Sequence, residues 1–198
     1  MQPETLPLFP LNTVLFPGGP LPLRVFETRY LDMVGRGLKE HTPFGVVLIL
    51  SGSEADTAPA VADIGTSARV VDFDTLPDGL LGITCIGERR FRLTRRWQQS
   101  DGLNLADVDY LPEDAPHLLP AELSHLGELL REVLPRLGGA YAHVDGRYDD
   151  ASWVSNRWAE ILPLTPAERL DLLRLDDPLA RLQQVAAWSE RQPPAAGV

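Results

Sequence analysis

Apolar residues change their spacing part-way along the 198-residue chain. Up to about residue 111 they come in short runs that alternate with polar residues and stop at turn signals. Beyond the acidic, proline-bounded stretch Pro112-Glu113-Asp114-Ala115-Pro116, Leu119, Leu123, Leu126, Leu130, Val133 and Leu137 recur at helical intervals. Side chains alternate faces along a strand and return to the same face every three or four residues along a helix. The chain is therefore read as an α+β protein, β-rich over 1–115 and helical over 116–198.

Within the first part, Pro7, Pro10, Pro17, Pro20 and Pro22 interrupt an otherwise apolar segment. That spacing breaks helices and suits edge strands joined by tight turns. One short helix is expected next, with Thr28 as N-cap before Tyr30, Val34 and Leu38. Strands follow at Phe44–Leu50, Ile64–Phe73, Leu80–Ile86, Glu88–Thr94 and Leu105–Leu111, with a polar stretch from Ser51 to Pro59, a hairpin-type turn at Asp78-Gly79 and a break at Gly87. These are the short strands of a mostly antiparallel sheet or closed barrel.

In the second part Pro135 is expected to kink or end the first helix, closed by Gly138-Gly139, and Pro163 to follow the helix Ser152–Leu162. Thr165-Pro166-Ala167-Glu168 is a capping box with proline at the first helical position, opening Ala167–Leu175, and Asp177-Pro178 opens the last helix through Trp188. Trp153, Trp158 and Trp188 are expected in the core. Gln192–Val198 reads as disordered by composition.

Charge narrows the function. A net charge of -10 repels nucleic-acid backbones and anionic lipid, which argues against both as partners. A single cysteine, Cys85, with no apolar leader after Met1, points to the reducing cytoplasm, and the longest apolar run, Val46–Leu50, is too short to span a bilayer.

The familiar chemistries lack their residues. Lys39, the only lysine, sits in Gly37-Leu38-Lys39-Glu40, which is no phosphate-binding loop, and a Ser-Lys pair would have to recruit that same lysine. His41, His117, His125 and His143 have no metal-binding spacing and read as surface or cap residues. Cys85, between Thr84 and Ile86, reads as a buried inert thiol. Asp72/Asp74, Asp149/Asp150 and Asp176/Asp177 read as solvated or capping carboxylates. No cofactor or metal is called for. Arg89, Arg90, Arg92, Arg95 and Arg96, beside Phe91 and Trp97, are the one basic cluster; RNA binding through them stays open as an alternative to an ion-paired strand. A small hydrolase with no recognisable motif is the other alternative.

Several runs together resemble the LON substrate-binding domain, found at the front of Lon proteases and in free-standing bacterial proteins. They are Leu6-Pro7-Leu8-Phe9-Pro10-Leu11, Val14-Leu15-Phe16-Pro17-Gly18 and Pro22-Leu23-Arg24-Val25-Phe26-Glu27-Thr28-Arg29-Tyr30, supported by Phe44-Gly45-Val46-Val47, Ile64-Gly65-Thr66, Gly87-Glu88-Arg89-Arg90-Phe91-Arg92-Leu93 and Leu162-Pro163-Leu164. The resemblance implies a PUA-like β pseudo-barrel with a short inserted helix, then a helical bundle. It also implies binding of unfolded or specific proteins or peptides without catalysis, because unfolding and cleavage belong to other domains of Lon. Such a binder needs an exposed apolar groove or an open strand edge. The candidate contacts are Phe16, Phe26, Tyr30 and Phe91, with Arg24 and Arg29 as polar anchors.

Overall fold

The computed structural model describes residues 4–54 and 59–191; residues 55–58 of the expected polar stretch, and the tail 192–198, lie outside the described residues. The chain divides into two compact units, 1–113 and 114–198.

The first unit carries six strands: β1 (Glu4–Leu11), β2 (Pro20–Val25), β3 (Phe44–Ser51), β4 (Ala60–Thr75), β5 (Leu81–Gln98) and β6 (Asn104–Tyr110). One helix, α1 (Thr28–Glu40), separates β2 from β3. The sheet order is β2-β5-β4-β3-β1-β6, and β6 pairs also with β5, so five of the strands close into a ring with β2 on its outside. The sheet is mixed: β1 and β3 are parallel and every other pair is antiparallel.

The prolines fit this ring in an instructive way. β2, with Pro20 and Pro22, pairs on one side only and is the expected edge strand. β1 is not an edge strand. It pairs with β6 over Glu4–Leu8 and with β3 over Leu8–Leu11, so each half has one partner and the two partnerships meet at Leu8. Asp107, opposite Thr5, turns its carbonyl toward β5, where Thr94 Oγ1 donates to it at 3.0 Å. By the alternation of an antiparallel ladder, Thr5 and Pro7 then turn their backbone away from β6, and Pro10 turns toward β6 beyond the point where pairing has ended. Both missing N–H groups fall where no partner waits, which is how a strand inside a sheet tolerates proline.

The chain runs through Gly87 as one strand, β5, where two strands were expected. A side chain at Gly87 would strike the Phe16 carbonyl, and Gly87 exchanges backbone bonds with the loop before β2, donating to Gly19 at 2.9 Å and accepting from Gly18 at 2.7 Å. Glycine here admits a passing loop rather than a turn. The N-cap of α1 is Glu27, not Thr28; its carbonyl receives the Tyr30 and Leu31 N–H groups, and no side chain caps the helix.

Among the described residues two apolar clusters stand out in this unit. Inside the ring, Phe91 is fully buried with Leu6, Leu8, Val47, Ala106 and Val108. An added Cβ at Gly45 or at Gly65 would come within 2.7 Å of Phe91 Cζ, so these glycines make the room the ring occupies. The other cluster includes Tyr30, Met33 and Val34 of α1 and Phe9 of β1, with Phe9 and Tyr30 stacked at 4.0 Å.

The second unit contains α2 (Ser124–Leu137), α3 (Ala151–Ile161), α4 (Pro166–Arg174) and α5 (Pro178–Arg191). Leu126, Leu130 and Leu134 of α2 meet Trp153 and Val154 of α3 and Leu182 and Ala186 of α5. Val133 and Leu137, expected on the buried stripe, lie off it, and Leu137 is exposed. Pro135 sits in the last turn of α2, which runs two residues further. The capping box at Thr165 and Glu168 forms as expected: Thr165 N donates to Glu168 Oε2 at 2.7 Å and Glu168 N to Thr165 Oγ1 at 3.2 Å. Asp150 caps α3, accepting from Trp153 N at 2.9 Å.

Charge buried in this unit was not foreseen. Arg181, 1% exposed, donates to Asp114 Oδ2 at 2.8 Å, Asn156 Oδ1 at 3.0 Å and the carbonyls of Leu172 and Leu175. Asp114, in the acidic proline-bounded stretch, also accepts from Ser152 Oγ at 2.5 Å. Fully buried Arg157 holds Glu160 through two bonds of 2.6 and 2.9 Å.

Candidate functional site

Of the six candidate contacts, four are core residues. Phe16 and Phe91 are fully buried, Tyr30 is stacked on Phe9, and Arg29 is buried between the Glu27 carboxylate at 2.7 Å and the Gly102 carbonyl at 3.0 Å. Only Phe26, 65% exposed, and Arg24, ion-paired with Asp78, reach solvent.

A hollow does form beside the unpaired half of β1. It has a volume of about 270 Å³. Four consecutive residues, Glu4 to Pro7, line it, as a cleft running along a strand edge requires. The C-terminal half of α1 supplies Met33, Arg36, Gly37 and Glu40; the turn into β3 supplies Thr42, Pro43 and Phe44; the β5–β6 turn and β6 supply Leu103 and Leu105. Thr5 turns its backbone to the side where β3 has not yet joined, and among the described residues no backbone group pairs with it there. Apolar Leu103, Leu105, Met33 and Phe44 face a rim carrying Glu4, Glu40 and Arg36. The volume falls just under the usual range for small-molecule pockets, about 300–1,000 Å³, and is below what a helix about 10 Å wide would need. One or two side chains of an extended chain fit.

The other chemistries find no assembled site. Burial pushes the Cys85 thiol up to about 12, the direction opposite to nucleophile activation. No group of three metal-binding side chains occurs among the described residues. The arginines of β5 are engaged: Arg92 with Asp63 at 3.3 Å, Arg89 over Tyr110 at 4.3 Å, Arg96 on the Pro59 carbonyl at 2.6 Å and Arg95 over Trp97 at 5.3 Å. Asp177 accepts from Leu179 N at 2.9 Å, and Asp72 and Asp74 accept from the N–H groups that follow them. In the helical unit a larger hollow, about 720 Å³, lies between α4 and α5 beside Leu172, Val185 and Trp188. No described helix is long and apolar enough to cross a membrane.

The family model of the ATP-dependent protease La (LON) substrate-binding domain matches residues 5–188. The chain belongs to this family. The crystal structure of a Lon N-terminal domain protein from Xanthomonas campestris is 40% identical, superposes with a TM-score of 0.75, and covers 93% of this chain and 98% of that one. The N-terminal domain of the Mycobacterium avium complex Lon protease, at 19% identity and a TM-score of 0.67, shares the fold. A Lon protease of Paraburkholderia phytofirmans is 31% identical over 193 residues, which are 92% of this chain and 24% of that protein. The Lon protease 2 of Myxococcus xanthus is 33% identical over 140 residues. The chain thus spans about a quarter of the length of the Paraburkholderia Lon protease, and its own match is to the LON substrate-binding domain.

Proposed function

We propose that this LON substrate-binding domain is a recognition module for unfolded or specific protein segments, with no catalysis of its own, and that the cleft along β1 is where it holds them. The carrying observation is the open side of β1 joined to an apolar hollow, in a chain whose family is defined by substrate binding. In this reading the five-strand ring is a PUA-like pseudo-barrel and residues 116–198 a helical-bundle extension. The setting is the cytoplasm, and the segments held are client proteins of a proteolytic system. Phe26 and Arg24 are the two candidates from the sequence that can still touch a client.

The test is calorimetric titration with a permanently unfolded protein, reduced and carboxymethylated lactalbumin, against its native form. Binding of the unfolded form alone is expected, and Thr42→Tyr, which fills the mouth of the cleft, should abolish it while leaving the melting temperature within a few degrees. Absence of binding to both forms overturns the reading. RNA recognition gains no support from arginines already held by carboxylates, carbonyls and rings on their own sheet.

A further inference from the structure

This inference rests on the recognition reading and concerns how a segment is held. We propose that an extended polypeptide segment adds as a strand along the open side of β1, hydrogen-bonded to the backbone of Thr5, with one apolar side chain in the cleft and basic residues on its flanks. Four observations lead there.

The first is direction. The Asp107 carbonyl points to β5, so Thr5 presents both its N–H and its C=O on the side away from β6. Pro7 faces the same way and brings no donor, which makes Thr5 the one residue of this half-strand that both gives and accepts. The second is the track. β3 pairs with β1 from Gly45 onward, and the preceding Thr42 and Pro43 turn aside to line the cleft, leaving upstream of β3 the lane a further strand would take. The third is size: a hollow of about 270 Å³ excludes a helix and admits an extended chain. The fourth is charge. Glu4 and Glu40 outnumber Arg36 on the rim, and in a protein of net charge -10 this favours lysine or arginine flanks over acidic ones. Two backbone bonds and one apolar anchor give weak, sequence-tolerant holding, because a strand edge reads backbone rather than side chains.

The experiment is a fluorescence-anisotropy titration with a labelled heptapeptide, Lys-Thr-Val-Leu-Val-Thr-Lys, and its counterpart with glutamate at both ends. Thr5→Pro removes the outward N–H, as Pro7 does two residues on, and, like Thr5→Val, the bond that Thr5 Oγ1 donates to Asp107 Oδ1 at 2.8 Å; it should weaken binding about tenfold, the equivalent of a lost backbone hydrogen bond with its desolvation. Thr5→Val keeps that N–H and should bind within about threefold of the unaltered protein, and the glutamate-flanked peptide should bind more weakly than the lysine-flanked one. If Thr5→Pro does not fold, amide exchange on the unaltered protein decides: saturating peptide should protect the Thr5 N–H. Full binding by folded Thr5→Pro, or an unprotected Thr5 amide, overturns strand addition and leaves recognition by the cleft standing. Binding of neither this peptide nor an unfolded protein overturns the recognition reading itself.

Discussion

The two units bury charge to different depths: in the β unit Arg29 and Arg90 keep 7% and 5% of their surface exposed, and Arg29 is held by the Glu27 carboxylate. In the β unit the ring interior is apolar, and its specificity comes from shape: Phe91 occupies space that Gly45 and Gly65 leave clear. In the helical unit two arginines, Arg157 and Arg181, lie almost wholly inside, each held by a carboxylate. Shape specificity tolerates substitution until volume is exceeded, whereas a buried ion pair fails as soon as one partner is removed. The ring interior should thus fail gradually and the helical unit abruptly.

The sharpest way to break the comparison is Arg181→Met. It strands Asp114 in the helical unit and should cost about 3–5 kcal/mol in urea unfolding, read by the fluorescence of Trp153, Trp158 and Trp188, all in that unit. A loss under about 1 kcal/mol would put the helical unit on the same footing as the β unit.

Next comes Glu160. Burial raises its carboxyl to about 7 against the pull of Arg157. A folded-state value above the unfolded one gives stability that is complete at pH 4 and is lost as pH rises through 7. Thermal melts of Glu160→Gln and the unaltered protein should therefore diverge, the unaltered protein losing about 3 kcal/mol relative to the variant between pH 4 and pH 8. A pH-independent gap would mean that the Arg157 pair outweighs burial.

In the β unit Gly45→Ala should cost about 1–3 kcal/mol by overpacking. The atoms nearest its Cβ are side-chain atoms of Phe91 and Leu8. Adding Phe91→Leu should return part of the loss, a non-additive pair in chemical denaturation. The smallest effect belongs to Phe26→Ser, within about 0.5 kcal/mol, because this side chain is mostly in water. A larger loss would give Phe26 a structural role.

Legibility in the sequence followed distance along the chain. The capping box at Thr165 and Glu168 and the proline starts of α4 and α5 were readable because every atom involved lies within one turn. β2 was readable as an edge because its prolines act locally. β1 was not: its place inside the sheet depends on β3 and β6, tens of residues away in the chain, one of them paired parallel. Closing the ring places Phe91 inside it although its neighbours alternate like a half-exposed strand, and Phe16 is buried from the loop between β1 and β2. Arg181 gave no sign of its burial, since its partners Asp114 and Asn156 come from separate segments. The cleft draws on β1, α1, the entry to β3 and β6, an assembly no short motif could encode.

The half-and-half pairing of β1 bears on the order of events when the chain folds. β3, β4 and β5 can pair through connections to their neighbours in the chain, but β1 cannot join β6 until about a hundred residues have been laid down, as Leu6 faces Ala106. Loop-closure entropy makes such distant contacts slow to form, so ring closure should be a late step in β-unit folding. Until then the N-terminal strand is held by β3 through Leu8–Leu11 alone, and the Phe91 cavity lacks the wall that Leu6 provides. The helices, built from neighbours in sequence, have no such wait.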